Sequence, residues 1–365
     1  MKLKITKSKL TSALSAVAGV NKGAHLAVLK NVRLDAVAGH LSVTSTNLDQ
    51  QVVFRVKAEI EESGAVLMDS AYFSRFVTAL PEGVVTIAAK EGEMAHIAGG
   101  EVRYRLETSA AANFPAMSGA DATDREQTLF LPVATFKEIL RKVRFAVCVD
   151  ETRRALMGVY FEHGGGRLVA TATNGRSLAS VEHDTSGGED FKAIVPTATI
   201  ALLSRLLAKS MEGEVGIRMS GPVVRFVTDD WCVTSKRIDA DYPNWRNVVP
   251  ESSANRASFN RATFLLELQR ASAAISAEQC GVSVKFSKGT ITFEALSGVA
   301  SAKISMEASY EGDEVMFRVD PALLSPALDC IDGPEMAVEF NGGASALVLK
   351  CDLPWIAVIM PLREI

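Results

Sequence analysis

The pattern of apolar and polar residues at the start of the chain recurs twice further along. Apolar and polar residues alternate over Lys2–Thr6, which predicts a strand, and apolar residues then follow at helical spacing up to Val17. The same strand and amphipathic helix begin again at Leu129 and at Ser258. Equivalent apolar positions of the three predicted helices are Leu10, Phe136 and Phe264. The sequence therefore predicts a chain built from three copies of one unit.

Each copy continues with a predicted β-hairpin around a glycine turn, since alternating residues flank the glycines. The hairpin turns lie at Ala38-Gly39, Gly164–Gly166 and Lys288-Gly289. The middle copy then carries a second turn, Thr173–Leu178, with the sequence TNGRSL. A weaker version follows the first hairpin at Thr44–Asp49, and a more eroded one follows Gly289 at Ile291–Ala295. The repeat therefore explains the strand and the turn but not the Gly-Arg-Ser-Leu portion.

A further strand, a second amphipathic helix and two more strand regions complete each copy. The Asp or Pro at the end of the preceding strand favours a helix start. The predicted second helices are Ala71–Leu80, Thr199–Leu207 and Pro321–Ile331. A unit of about 120 residues is a typical domain. We therefore predict an α+β fold of three tandem two-helix, antiparallel-sheet domains, at residues 1–120, 127–249 and 251–365, with polar linkers at 118–127 and 250–256.

Composition excludes several classes of protein. The chain has 365 residues and a net charge of −4, so bulk positive charge cannot account for binding to nucleic acid. The start of the chain alternates rather than forming an apolar targeting segment, and no apolar run is long enough for a bilayer. We therefore expect a cytoplasmic protein with no membrane contact. The five cysteines and five histidines are scattered, so we expect no metal site, no disulfide and no cofactor.

Basic residues recur on the predicted helices, whereas acidic residues cluster in apparent turns. In the helix from Phe136 to Val147, three cations follow at i, i+4 and i+7 and so share one face. The basic positions of this kind are Lys137, Arg141, Arg144, Arg205, Lys209, Arg75, Arg270 and the pair Arg153-Arg154. An ordinary solvated helix face is the alternative interpretation. A segregated basic layer would give a net-negative protein a positive surface for DNA, although the third copy has few such residues.

The order of several short motifs resembles the bacterial DNA polymerase III beta subunit family, the β sliding clamps. The motifs are Asn113-Phe114-Pro115, Leu156–Val159, Thr173–Leu178, Thr234–Lys236, Tyr242–Arg246 and Val358–Arg363. The resemblance covers essentially the whole chain. It implies the DNA clamp fold, in which two chains associate head to tail and close a ring of six domains around duplex DNA. Such a ring holds DNA without tight phosphate contacts and without reading its sequence.

The resemblance also implies the partners. The family tethers the replicative polymerase alpha subunit, and it binds the clamp loader and other proteins that carry a clamp-binding motif. The protein would be a non-catalytic processivity subunit of the DNA polymerase III holoenzyme, which is a DNA-directed DNA polymerase and so a nucleotidyltransferase. We expect no catalytic residue in this chain.

The family binds the short motifs of its partners in a pocket between its middle and last domains. Apolar side chains and a few arginines suit the binding of an extended peptide. The positions that the resemblance assigns to this pocket are Leu156, Thr173, Gly175, Arg176, Leu178, Pro243, Arg246, Val248, Val358, Met360, Pro361, Leu362 and Arg363. Here Arg176-Ser177 replaces the usual His-Arg or Tyr-Arg of the family.

Two further surfaces follow from the resemblance. Lys22 takes the place of a DNA-facing arginine of the first domain, and Arg153-Arg154 correspond to the arginine and tyrosines before the pocket leucine. At the dimer contact, Tyr104 and Leu106 of one chain would face small residues of the other. Those facing residues are Ala273, Ala274 and Ile275.

Two other functions are weighed against the clamp. An enzyme has little support, because no catalytic triad, paired-carboxylate motif or phosphate-binding loop is present; the glycines at 164–166 precede no helix. A peptide-binding scaffold that no longer encircles DNA is the second alternative. Its support is the sparse charge of the third copy and the small residues Ala273 and Ala274.

Overall fold

The computed structural model describes residues 1–115, 117, 128–209, 212–276, 281–351 and 354–362. Over these residues the chain forms an α+β fold with six α-helices and antiparallel sheets. The elements occur in three successive repeats of the same order, which confirms the predicted fold class. The predicted linker at 118–127 lies outside the described residues.

The elements of the first repeat are β1 (Lys2–Thr6), α1 (Lys7–Val17), β2 (Asn31–Val37), β3 (His40–Thr46), β4 (Gln50–Lys57), β5 (Glu59–Glu62), β6 (Gly64–Asp69), α2 (Ser70–Ala79), β7 (Val84–Ala88), β8 (Met94–Gly99) and β9 (Val102–Ala110). Those of the second are β10 (Leu129–Pro132), α3 (Val133–Val143), β11 (Gly158–Gly164), β12 (Arg167–Thr173), β13 (Ser177–Asp184), β14 (Phe191–Pro196), α4 (Thr197–Leu207), β15 (Glu214–Ser220), β16 (Val223–Val227) and β17 (Trp231–Lys236). Those of the third are β18 (Asn255–Asn260), α5 (Arg261–Ser272), β19 (Val282–Ser287), β20 (Thr290–Leu296), β21 (Ser301–Glu307), β22 (Val315–Val319), α6 (Pro321–Asp329), β23 (Glu335–Phe340), β24 (Leu347–Lys350) and β25 (Trp355–Ile359).

Each repeat contains two four-stranded antiparallel ladders. One ladder joins the first strand to the last three, in the orders β1-β7-β8-β9, β10-β15-β16-β17 and β18-β23-β24-β25. The other contains the hairpin, in the orders β6-β2-β3-β4, β14-β11-β12-β13 and β22-β19-β20-β21. The first repeat adds β5, which pairs with β1, and a short pairing of β6 with Thr108–Ala110 of β9; otherwise the three repeats share one topology.

The chain divides into two compact units, and each unit contains one junction between neighbouring repeats. The first unit comprises residues 1–134, 187–189 and 201–237, and the second comprises the remainder. In the first unit β17 pairs with β4, and in the second β25 pairs with β13. Both junctions join the last strand of one ladder to the last strand of the other, in antiparallel register.

Local sequence explains the helices that the periodicity predicted. Leu10, Phe136 and Phe264 are buried at the equivalent places of α1, α3 and α5. The Asp69 carboxylate accepts the backbone N–H groups of Ala71 and Tyr72 at the start of α2. Asp320 does the same for Ala322 at the start of α6. These carboxylates satisfy N–H groups that have no partner within the helix.

The closing strands of each repeat differ from the prediction. Two regions predicted as strand, 223–238 and 347–360, each contain two strands, β16 with β17 and β24 with β25. The first repeat also contains β8, which the sequence interpretation missed. The helix predicted to run to Val147 ends at Val143 and continues as one 3₁₀ turn. The strand errors share a cause, because short connections between alternating strands leave little signal in a hydrophobic pattern.

Candidate partner-binding site and basic surface

The turn at Thr173–Leu178 is built by its own side chains. The Asn174 side-chain oxygen accepts the backbone N–H groups of Arg176 and Ser177 at 2.9 and 2.8 Å. The Thr173 hydroxyl donates to the Ser177 carbonyl at 2.8 Å. Gly175 has φ +84°, a conformation that side chains with a Cβ rarely adopt. The Asn-Gly pair therefore fixes the loop that presents Arg176.

Arg153, which lies outside the turn, binds the backbone of the turn. The Arg153 Nη1 donates to the Asn174 carbonyl at 3.2 Å. A Cβ added to Gly175 would lie 2.7 Å from the same nitrogen. The backbone conformation thus favours glycine here, and a larger residue would also displace the end of the Arg153 side chain.

The apolar floor beside the turn comes from two repeats. Leu178 of β13 lies opposite Val358 of β25, and both are buried. Trp245 and Val169 complete this cluster. Tyr242 packs against it and stacks on Tyr160 with 4.7 Å between ring centroids. Burial raises the pKa of Tyr242 well above its usual range, and the backbone hydrogen bond with Thr173 only partly opposes this.

The remaining predicted pocket positions form a more exposed rim. Met360 and Val248 are 39% and 52% exposed. Pro243, Arg176 and Gly175 are also exposed, while a further group is half-buried. That half-buried group is Leu156, Thr173, Pro361 and Leu362. A buried floor with an exposed apolar rim is an arrangement that can accept apolar side chains from a partner.

Main-chain bonds position the last described residues. The Met360 N–H donates to the Arg176 carbonyl at 2.8 Å, which ties the end of β25 to the turn. The Leu362 N–H donates to the Arg318 carbonyl at 2.7 Å. Arg363, which the sequence interpretation assigned to the pocket, lies outside the described residues. The structure thus brings Arg176, Leu178, Val358 and Met360 together.

Arg246 contacts two other residues on the face of the sheet that carries the apolar floor. Its guanidinium lies 4.5 Å from the centroid of the Trp245 ring and binds the Glu162 carboxylate at 3.1 Å. Hydrogen bonds from Lys192 and then Arg246 outweigh burial and lower the pKa of Glu162. A cavity of about 570 Å³ lies beyond Trp245, lined in part by the next cross-strand pair, Ser180 and Ile356. The apolar floor therefore continues into a larger groove.

The predicted DNA-facing residues fall into two groups. The exposed group is Lys22, Arg75, Lys137, Arg144 and Arg154. Members of the second group have protein partners: Arg141, Arg153, Arg205, Lys209 and Arg270. Arg141, for example, binds Glu138, Asp332 and the Asp329 carbonyl. That both groups face DNA stays a prediction.

The predicted dimer-contact residues lie near the free edges of the fold. Tyr104 of β9 stacks on Phe76 of α2 with 4.4 Å between ring centroids, and Leu106 of the same strand is buried. Ala273, Ala274 and Ile275 follow the end of α5. Ala273 is exposed, and Ala274 is buried. Whether these residues meet in a dimer also stays a prediction.

Lys142 is a functional candidate that the sequence interpretation missed. Its side chain is fully buried, and its Nζ donates to the Cys330 carbonyl and to Asp332 at 3.1 Å. It also lies over the Trp355 ring, 5.4 Å from the centroid. A lysine one residue off the basic stripe of α3, on its apolar side, was the available signal. Lys142 and Arg141 thus anchor α3 to the end of α6.

The described residues offer little for catalysis or metal binding. Among them, no group of three or more His, Cys, Asp or Glu side chains is placed to hold a metal ion. The four described cysteines are free, and Cys280 lies outside the described part of the chain. No helix within that part is long and apolar enough to cross a membrane.

Known proteins resemble this chain over its full length. Models of the DNA polymerase III beta subunit match its N-terminal domain at residues 1–118 and its central domain at residues 130–244. The beta sliding clamp of Caulobacter vibrioides is 29% identical over 376 residues, covering 100% of both chains. A crystal structure of the C. crescentus beta sliding clamp, with PEG bound to a putative beta-motif tethering region, is 26% identical with a TM-score of 0.91, and it covers 100% of this chain and 99% of that one.

A more distant structure has the same fold. The DnaN sliding clamp of Bartonella birtlesii, bound to griselimycin, has a TM-score of 0.92 at 23% identity, and the match covers 100% of both chains. The two family models together cover more than half of the chain. The repeated α+β fold, the matched domains and the full-length relatives agree, and the chain belongs to the DNA polymerase III beta subunit family, the beta sliding clamps.

Proposed function

We propose that two copies of this chain close head to tail into a ring that encircles duplex DNA and tethers a replicative polymerase to it. One observation carries this proposal. The chain uses the same strand junction twice, β4 with β17 and β13 with β25. Among the described residues, the two equivalent strands without such a junction are β21 of the last repeat and β9 of the first, of which Thr108–Ala110 alone pair with β6. A second copy offers each of them a matching edge.

The register of the two existing junctions predicts that of the third. Val233 lies opposite Val52 in one junction, and Ala357 lies opposite Ala179 in the other. Following the ladders of each repeat, Tyr104 is equivalent to Val233 and to Ala357. Ala302 is likewise equivalent to Val52 and Ala179. Tyr104 of one copy would therefore lie opposite Ala302 of the other, and strand pairing would remove two open sheet edges.

The charge of the chain supports encirclement over tight binding. With a net charge of −4, long-range attraction to DNA is weak, so retention requires a closed ring. The exposed cations Lys22, Arg75, Lys137, Arg144 and Arg154 are the proposed contacts to phosphate. Such contacts position DNA without reading its sequence. We propose that the protein acts on cytoplasmic DNA as a non-catalytic subunit.

The site beside Thr173–Leu178 is the proposed docking place for partner proteins. Its floor is Leu178 and Val358, and its rim includes Met360 and Val248. Extended peptides gain affinity from main-chain hydrogen bonds and specificity from apolar pockets. The polymerase alpha subunit, the clamp loader and other proteins with a clamp-binding motif are the proposed ligands.

Sedimentation equilibrium combined with negative-stain imaging tests the ring. We expect a dimer at micromolar concentration and closed particles with one central hole. A monomer that still binds motif peptides would contradict the ring and favour a peptide-binding scaffold.

A further inference from the structure

At both junctions within the chain, a basic side chain binds the C-terminal end of a helix in the neighbouring repeat. In the second unit, Lys142 of α3 donates to the Cys330 carbonyl, and Arg141 donates to the Asp329 carbonyl at 3.0 Å. Both acceptors lie at the end of α6. In the first unit, Arg205 of α4 donates to the Ala16 carbonyl at 3.1 Å, near the end of α1. The last carbonyls of a helix lack intrahelical partners and carry partial negative charge, so a cation stabilises them.

The repeat fixes which residues are equivalent at the third junction. On the first helix of each repeat, Leu10, Phe136 and Phe264 are equivalent. The residues six positions after them are therefore equivalent too, and these are Ala16, Lys142 and Arg270. On the second helix of each repeat, the equivalent apolar residues are Leu80, Leu207 and Ile331. The residues two positions before them are therefore also equivalent, and these are Thr78, Arg205 and Asp329. The first junction joins Arg205 to Ala16 at these positions, and in the second Lys142 binds Cys330, the residue next to Asp329. The equivalent pair of positions at the third junction is Arg270 with Thr78. Each of the three pairs of positions therefore contains one basic residue.

The surroundings of Arg270 match those of Lys142. The Glu267 carboxylate, on a largely buried residue, holds Arg270 Nη1 at 2.7 Å. On α3 the Glu138 carboxylate binds the cations in the same way, 3.4 Å from Lys142 Nζ and 2.6 Å from Arg141 Nη2. The Arg270 side chain is nevertheless 58% exposed, whereas Lys142 is fully buried in its junction. Arg270 is thus oriented by an acid, as Lys142 is, but among the described residues of one chain it covers no helix end.

We propose that Arg270 binds the C-terminal end of α2 in a second copy of this chain. The acceptor equivalent to the Cys330 carbonyl is that of Ala79, and the exposed carboxylate of Glu82, which Lys7 binds at 3.1 Å, lies three residues further on. Within the chain, Lys7 already binds the neighbouring Leu80 carbonyl at 2.6 Å. The inference rests on the proposed ring and replaces the predicted role of Arg270 in facing DNA.

Substitutions of Arg270 in the full-length chain test this contact by sedimentation equilibrium. We expect Arg270→Ala to weaken dimerisation about tenfold or more, because a charge-assisted bond is lost at both interfaces of the ring. Arg270→Lys should retain most of the affinity, since a lysine fills the equivalent position in the second junction. Lys288→Ala removes an exposed cation at a hairpin tip of the same repeat and should leave the dimer unchanged.

The outcomes separate this inference from the proposed function. A wild-type chain that is monomeric overturns the ring and the Arg270 contact together. A wild-type dimer whose dissociation constant is unchanged by Arg270→Ala overturns the contact alone. Thermal unfolding of dilute monomer measures what losing the Glu267 pair costs the fold by itself, and Arg270→Lys keeps a cation beside Glu267. If Arg270→Ala leaves the dimer intact but weakens DNA binding as much as Lys137→Ala, Arg270 faces DNA and the inference is wrong.

Discussion

Single residues carry the exposed part of the candidate site. Met360 stands at the rim beside Arg176, and Leu178 and Val358 form the floor beneath it. Truncating a floor residue would disturb the core, since buried leucines cost about 2–5 kcal/mol when replaced by alanine. The rim is therefore the better place to test binding.

Met360→Ala should weaken the binding of a clamp-motif peptide by on the order of 2 kcal/mol, as expected for a central apolar anchor. Fluorescence anisotropy with a labelled peptide measures this directly. Met316→Ala is the matched control, because Met316 is 47% exposed, close to the 39% of Met360, and lies outside the site. Equal losses in the two variants would refute the assignment of the rim.

Lys142 is the residue on which the second junction most depends. Lys142→Ala should destabilise the chain by about 3 kcal/mol, because it removes a buried charged donor and leaves a cavity. Lys137→Ala, an exposed lysine on the same helix, should change stability by less than about 0.5 kcal/mol. Urea unfolding of both variants measures the difference. If the two substitutions changed the free energy of unfolding by similar amounts, the Lys142 contacts would make no net contribution to stability.

At the scale of elements, α3 and α6 meet through a cluster of charged groups. Glu138 holds Arg141 and Lys142 on α3, and both cations reach Asp332 beyond the end of α6. The hydrogen bond from Arg141 is the main reason that the pKa of Glu138 is lowered. At Asp332 burial raises the pKa, but the bonds and charges of Lys142 and Arg141 outweigh it and the net shift is downward.

This cluster predicts a loss of stability in acid. A carboxylate whose pKa is lower in the folded state stabilises the fold fully above its unfolded pKa, near 4.5 for Glu138. That contribution disappears as the pH falls through the lower folded value. The urea midpoint of the wild type should therefore decrease more steeply between about pH 5 and pH 3 than that of Glu138→Gln. Parallel profiles for the two proteins would contradict the role of the cluster.

Local patterns predicted the elements but not their neighbours. The periodicity that placed Leu10, Phe136 and Phe264 on equivalent helices acts over a few residues, and all three are buried as expected. Lys142 was missed because its acceptor, the Cys330 carbonyl, lies 188 residues away. The pairing of β13 with β25 is equally remote in sequence.

In the candidate site too, local structure was predicted from the sequence but contacts between remote residues were not. The Asn-Gly turn was predicted from its residue types, and the structure adds the mechanism through the Asn174 side chain. The approach of Arg153 beneath Gly175 could not be read from the sequence, because the two meet only once the turn and the segment before β11 are folded. The pocket positions came from the family resemblance, and their role in binding stays a prediction.

At the scale of the whole molecule, the chain is a threefold repeat with two of three equivalent junctions formed. A net-negative protein of this kind gains little from electrostatic attraction to DNA. Closure by a second copy gives the remaining edges, β9 and β21, the pairing that β4, β13, β17 and β25 already have. The same step gives Arg270 a helix end to bind. Stability of the dimer and retention on DNA should therefore depend on the same contacts.

The topological link to DNA is the central claim, and retention on circular DNA tests it most directly. The protein is loaded onto a nicked circle by a clamp loader with ATP, the complex is isolated by gel filtration, and the DNA is then cut once. We predict that the protein stays on the circle at moderate salt and leaves after linearisation, because a ring slides off a free end. Equal retention on circular and linear DNA would contradict the account.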